Sequence, residues 1–170
     1  MNNTYLVGFM GTGKSVVGQE LARQQKSRFI DLDVLIEEKE GQPIVDIFTE
    51  KGEPYFRKIE TRALKEISVH SNAVVSCGGG IVLDEENIGI MKETGFMICL
   101  TAKVDVILER TRVYAHRPLL NVPSPKEAIE SLLKVRAPFY ARADMTIDTS
   151  QKSIKEVVEA VRAFIAQNSE

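Results

Sequence analysis

Five short apolar runs punctuate the chain, at positions 4–8, 28–32, 73–77, 96–101 and 145–148. Most are continuous rather than alternating, the pattern of strands covered on both faces. Between them, apolar positions recur at helical spacing. Val17, Leu21 and Ala22 share one face after Ser15. Near the end, Ile154, Val157, Val158, Val161, Phe164 and Ile165 follow the i, i+3, i+4, i+7 rule. Strands alternating with helices predict an α/β fold, a parallel sheet with right-handed crossovers and helices on both faces. No internal repeat or low-complexity tract interrupts the pattern.

Two segments depart from it. Positions 33–72 are too many for one crossover helix. Pro43 and the turn Lys51-Gly52-Glu53-Pro54 divide them into at least three helical pieces, and such an insertion can form one wall of a binding site. The second segment, 112–125, carries Pro118, Pro123 and Pro125 with little apolar periodicity. A loop of that kind in a compact domain is either a functional lid or plain surface.

Composition narrows the class. The 170 residues suit one packed domain spanning 1–170. Net charge of −2 argues against a broad nucleic-acid surface. No apolar run reaches the ~18 residues of a membrane span. Met1-Asn2-Asn3-Thr4 leads straight into the first strand, leaving no room for a signal or transit peptide. A cytoplasmic monomer without nucleic-acid or membrane partners is expected. Cys77 and Cys99 each sit in or just after an apolar run and are expected to be reduced, buried thiols, with no metal-binding pattern around them.

The strongest chemical signal is Gly8-Phe9-Met10-Gly11-Thr12-Gly13-Lys14-Ser15. It fits the phosphate-loop pattern without mismatch, between a predicted strand and a predicted helix. Its glycines let successive N–H groups point at phosphate oxygens, and the positive end of the helix adds to that field. Lys14 is a flexible point charge that can reach the β- and γ-phosphates of ATP. Ser15 can give a hydroxyl ligand to Mg²⁺.

Around this loop lie further candidates. Asp31 and Asp33 flank Leu32 at the end of the second predicted strand, so as i and i+2 they would project together. One could help hold Mg²⁺ and the other accept a proton from an attacking hydroxyl. Either could instead cap the next helix, expected to begin near Val34. P-loop enzymes ordinarily carry an acid at the end of another strand. Here the third run ends Ser76-Cys77-Gly78-Gly79-Gly80, with none, which puts more weight on the aspartate pair. The three glycines bare backbone at a strand end, where a ligand can come close or the chain can simply turn. Arg110, Arg112, His116 and Arg117 form a basic cluster suited to phosphate, and Arg136 closes a helical segment before Ala137-Pro138. Arg57 stands between Glu53 and Glu60 at helical spacing, and is either a surface ion pair or a ligand. His70 and His116 lack partners for metal or acid–base work.

Together these residues resemble the shikimate kinase family. The resemblance rests on the phosphate loop, Asp31-Leu32-Asp33, Phe56-Arg57, Gly78-Gly79-Gly80, Arg117-Pro118-Leu119-Leu120, and Arg136 followed by Pro138 and Tyr140. It covers essentially the whole chain. It implies transfer of the γ-phosphoryl of ATP to the 3-hydroxyl of shikimate, a step toward chorismate and the aromatic amino acids. It also implies a nucleoside-monophosphate-kinase-like fold with a five-stranded parallel sheet ordered 2-3-1-4-5, a shikimate-binding helical region at 33–62 and a lid at 110–125. The resemblance assigns Gly11, Thr12, Gly13, Lys14, Ser15 and Val16 to ATP, with Arg110 near the adenine and Gln151, in the loop 148–153, on its other side. Ser15 and Asp31 fall to Mg²⁺. Asp33, Arg57, Gly79 and Arg136 fall to shikimate, with Gly78 and Gly80 beside them. Lys14, Asp33 and the lid residue Arg117 would be catalytic. Val16 stands where the family often has threonine. A different small-molecule kinase of this fold, for gluconate or a nucleoside monophosphate, is less suited, because Arg57, the glycines and Arg136 favour a ring bearing a carboxylate. A catalytically dead binding module would be expected to lose Lys14, Asp33 or Arg136.

Overall fold

A computed structural model describes residues 2–112 and 122–169. Five strands, β1 (Asn3–Val7), β2 (Arg28–Asp31), β3 (Ala73–Ser76), β4 (Gly95–Thr101) and β5 (Met145–Asp148), form one parallel sheet. Its order is β2-β3-β1-β4-β5, as the resemblance implied. β1 is central, with Tyr5 opposite Val75 on one side and Met97 on the other.

The continuous apolar strands feed two cores. Tyr5, Val7, Val75, Met97 and Cys99 pack on one face with Leu64 and Ile88. Leu6, Val74, Ile98 and Leu100 pack on the other with Leu21, Val157, Val158 and Val161. Alternate residues of one strand serve opposite faces, so both sets are largely apolar. The helices α1 (Lys14–Gln25) and α7 (Ile154–Asn168) cover the second face. In the expected stripe of α7, Val157, Val158 and Val161 are buried and Phe164 and Ile165 half-buried, whereas Ile154 is exposed in the first turn. A capping box of Ser153 and Glu156 starts that helix.

The 33–72 segment folds as α2 (Leu32–Glu40) and α3 (Ile44–Ser68). Gly52, with φ 79° and ψ 167°, breaks α3 into two parts, giving the three helical pieces expected. After the turn 77–80 come a short 3-10 turn, Ile81–Leu83, and α4 (Glu85–Thr94). α5 (Val104–Thr111) and α6 (Pro125–Tyr140) flank positions 112–124. Arg110 therefore lies in a helix rather than in an irregular lid, and Pro125 opens α6. The central part of the expected lid, with His116, Arg117 and Pro118, lies outside the described residues. Pro138 does not end the helix at Arg136; α6 runs through it to Tyr140, and its buried face of Ile129, Arg136 and Tyr140 outweighs the lost N–H hydrogen bond. Among the described residues no helix is long and apolar enough to cross a membrane.

Candidate active site

β1 stops at Val7 and α1 starts at Lys14, so the phosphate loop spans the gap at the C-terminal edge of the central strand. The chain goes from β1 to the edge strand β2 and returns to β3 beside β1, so this is the crevice where α/β folds receive ligands. Gly13 adopts φ 97° before α1 and no side chain caps the helix, which leaves its first N–H groups for an anion. The buried Thr12 hydroxyl donates to the Phe9 carbonyl at 2.8 Å and braces the loop. Lys14 Nζ donates to the carbonyls of Gly8 and Phe9, each at 2.9 Å, holding the ammonium above its own loop.

Ser15 Oγ donates to Asp31 Oδ2 at 2.9 Å and lies 3.2 Å from Ser76 Oγ. The other oxygen of Asp31 accepts from the N–H groups of Asp33, at 3.1 Å, and Val34, at 3.4 Å. This corrects the strand-pair geometry expected for the two aspartates. Helix α2 begins at Leu32, two residues earlier than expected, because Asp31 caps it; Asp33 then sits in the first turn rather than in a strand. The two carboxylates point different ways instead of projecting together. Asp31 turns to Ser15 and the phosphate loop, while Asp33 turns to Gly78. A hydroxyl and a carboxylate are hard oxygen donors and fit Mg²⁺, which takes most of its ligands from phosphate and water. Among the described residues no group of three or more His, Cys, Asp or Glu side chains is placed to hold a metal ion by itself.

Beyond the phosphate loop, Arg110 Nη1 donates to the Gly11 carbonyl at 3.1 Å and Thr149 Oγ1 at 3.1 Å, and its Nη2 to the Thr149 carbonyl at 3.0 Å. Thr149 Oγ1 also donates to the Thr12 carbonyl at 2.9 Å. Arg110 and Thr149 thus tie the phosphate loop to the 149–151 turn, where Gln151 is exposed. Val16 is half exposed in the first turn of α1.

The other end is a charged pocket around the three glycines. A Cβ at position 78 would lie 3.0 Å from Asp33 Oδ1 and 3.1 Å from Glu60 Oε1. One at 79 would lie 3.1 Å from Arg136 Nη1, and one at 80 only 2.4 Å from Arg57 Nη2. None of the three has positive φ. Four charged side chains close on them, and a Cβ at any of the three would press on the end of at least one. Arg57 is held by Glu60 at 2.8 Å and Glu53 at 3.2 Å. Glu60 is fully buried; burial pushes its pKa up to about 7, and Arg57 only partly offsets this. Arg136 is 7 % exposed, with its Cζ 5.6 Å from the centre of the Phe9 ring. No carboxylate among the described residues forms an ion pair with it. A buried cation of that kind is costly until an anion arrives.

The structure thus brings Lys14, Ser15, Asp31, Asp33, Arg57, Gly78, Gly79, Gly80 and Arg136 to one sheet edge, with Arg110 and Gln151 flanking; Arg117 lies outside the described residues. Sequence reasoning missed Glu60, Thr149 and Ser76 as parts of the site. Glu60 had a signal, its helical spacing from Arg57, but its burial comes from chain far away. Thr149 and Ser76 carried none.

Phosphate-binding backbone at one end of a crevice and guanidinium groups at the other define a P-loop kinase for a small anionic acceptor. Comparison with known proteins narrows this class. Residues 10–166 match the family model for shikimate kinase. The shikimate kinase of Caldanaerobacter subterraneus subsp. tengcongensis is 45% identical over 97% of this chain and 97% of its own. The structure of shikimate kinase from Acinetobacter baumannii in complex with shikimate superposes with a TM-score of 0.94 at 36% identity, covering 99% of this chain and 95% of that one. The enzyme from Bacteroides thetaiotaomicron gives 0.90 at 32% identity, over 97% and 98%. The chain belongs to the shikimate kinase family.

Proposed function

We infer that this enzyme transfers the γ-phosphoryl group of ATP to the 3-hydroxyl of shikimate, giving ADP and shikimate 3-phosphate on the route to chorismate and the aromatic amino acids. The observation that carries the acceptor is the buried Arg136 guanidinium, which has no carboxylate partner among the described residues and stands over Gly79. A planar carboxylate with two oxygens suits two such forks, Arg136 and Arg57. A polyhydroxylated ring attached to it would reach Asp33 across Gly78.

The chemistry follows from that placement. The loop N–H groups, the start of α1 and Lys14 bind the triphosphate. Magnesium bound with ATP supplies charge neutralisation on the phosphates, and Ser15 and Asp31 would hold it. Asp33 orients the 3-hydroxyl and accepts its proton as the oxygen bonds to the γ-phosphorus and the bond to ADP breaks. Arg117 is assigned to the transferring phosphoryl group by the family resemblance. The same reading gives a cytoplasmic monomer whose partners are small molecules, with 33–62 serving the acceptor and 110–125 forming the lid of a single domain.

The test is ADP release by the purified protein. It should need ATP, Mg²⁺ and shikimate together. Equal release with gluconate or AMP in place of shikimate overturns the acceptor assignment.

A further inference from the structure

The pocket contains a buried hydroxyl that the transfer scheme does not use. Tyr140 ends α6, four residues after Arg136, so the two side chains share one helix face. Its ring is 7 % exposed and packs in the core with Tyr5 and Cys99. Its Oη donates to the Gly79 carbonyl at 2.6 Å. The place of a Cβ at 79 is 3.6 Å from that hydroxyl and 3.1 Å from Arg136 Nη1, so both groups converge on one glycine. Burial pushes the Tyr140 hydroxyl up to about 12, against the pull of Arg136, so it stays a donor throughout the working pH range.

That bond has a consequence through the backbone. The described peptides include no cis bond. In a trans peptide the C=O and the following N–H point opposite ways. Holding the Gly79 carbonyl toward Tyr140 turns the Gly80 N–H away from it. Among the described residues, the N–H groups of Gly79 and Gly80 donate to no protein acceptor. A run of glycines has no side chains of its own to fix those donors. Among the described residues, Tyr140 reaches this turn with a side-chain hydrogen bond.

We propose that Tyr140 is a positioning residue for the acceptor: its hydroxyl fixes the Gly79 carbonyl, and so sets the glycine N–H groups and the neighbouring Arg136 guanidinium to receive the substrate carboxylate. The proposal rests on the acceptor assignment above. Tyr140 touches neither ATP nor the reacting oxygen; it acts through its neighbours.

Tyr140→Phe removes the hydroxyl and keeps the ring. The KM for shikimate should rise about 5- to 20-fold, the worth of one buried hydrogen bond. The KM for ATP should stay within about twofold, because the phosphate loop is untouched. Replacing Tyr140 with p-aminophenylalanine restores a donor and should recover most of the shikimate affinity. The same variants are compared for competitive inhibition by the shikimate carboxamide, which lacks the charged group. There the ratio of Phe variant to wild type should fall toward one. An unchanged shikimate KM, an equal loss for ATP, no rescue, or the same penalty with the carboxamide overturns the proposal. Wild-type protein run alongside separates this from the acceptor assignment, which fails only if shikimate does not support ADP release by wild type.

Discussion

The phosphate end and the carboxylate end of the crevice are built on opposite plans. The phosphate end is one stretch, 8–15, whose polar groups are largely settled within it. Thr12 bonds to Phe9, and Lys14 to Gly8 and Phe9. It offers mainly backbone N–H groups and a helix start. The carboxylate end draws on three distant segments: Arg57 and Glu60 from α3, Gly78–Gly80 after β3, and Arg136 with Tyr140 from α6. It is a balance of buried charge, with Glu60 and Arg136 both withdrawn from water. The first plan makes a site by local geometry; the second makes one by unmet electrostatics. Substitutions at the two ends should therefore fall on different substrates, and a crossed effect breaks the comparison.

Asp33 stands between the two ends and should show the largest effect. Asp33→Asn keeps size and some hydrogen bonding but loses the ability to take up the hydroxyl proton. Turnover should fall about 10²-fold, the low end for a positioned general base, because a loose phosphoryl-transfer transition state asks less of one. The KM for ATP should change little. Steady-state kinetics check both, and near-normal turnover would remove Asp33 from the chemistry.

The same contrast explains what was legible in the sequence. The phosphate loop could be read because its eight residues are contiguous and its physics is local. The strand order came through the family resemblance, whereas strand and helix alternation came from periodicity alone. The start of α2 was misplaced by two residues because Asp31 could be read as strand end or as cap, and only its bonds to the N–H groups of Asp33 and Val34 decide. Arg57 can be read from its spacing as a surface ion pair or as a ligand, because sequence spacing does not reveal that its partner Glu60 is fully buried. Glu60 is enclosed by chain that arrives later, at Gly78 and beyond, and no local pattern reports that. Pro138 read as a helix end for a similar reason: burial of Arg136 and Tyr140 holds α6 together through it.

The arginines should come next in size. Arg136→Lys and Arg57→Lys keep the charge and lose the planar two-pronged fork. Each should raise the KM for shikimate by about 1.5–3 kcal/mol in binding terms, the range for a hydrogen bond to a charged group. Arg136 should show the larger loss, because it is more deeply buried and lacks an ion-pair partner among the described residues, whereas Arg57 is already held by Glu60 and Glu53. The KM for ATP should be spared in both. A larger penalty at Arg57 would mean that the glutamates prepare it for the substrate more than they compete for it.

The last effect, at Glu60, falls on stability rather than on kinetics, and it is one of pH. Burial raises the pKa of this carboxyl from 4.5 to about 7, with Arg57 pulling the other way. Between those values the native protein keeps a proton on Glu60 that the unfolded chain has released. Stability must then fall as pH rises through that window, since the native state binds the extra proton. Other groups tilt the profile the opposite way; Glu20, Glu40, Asp148 and Glu156 all have lowered values. The difference between wild type and Glu60→Gln isolates the one site. The amide keeps an oxygen for Arg57 and cannot ionise. Thermal melts from pH 4.5 to 8 should show the variant gaining on wild type as pH rises, with most of the gain made by about pH 7. A flat difference would mean that Glu60 does not titrate in that window. A reversed one would mean that the Arg57 guanidinium outweighs burial, which would make this end of the site an ordinary ion pair after all.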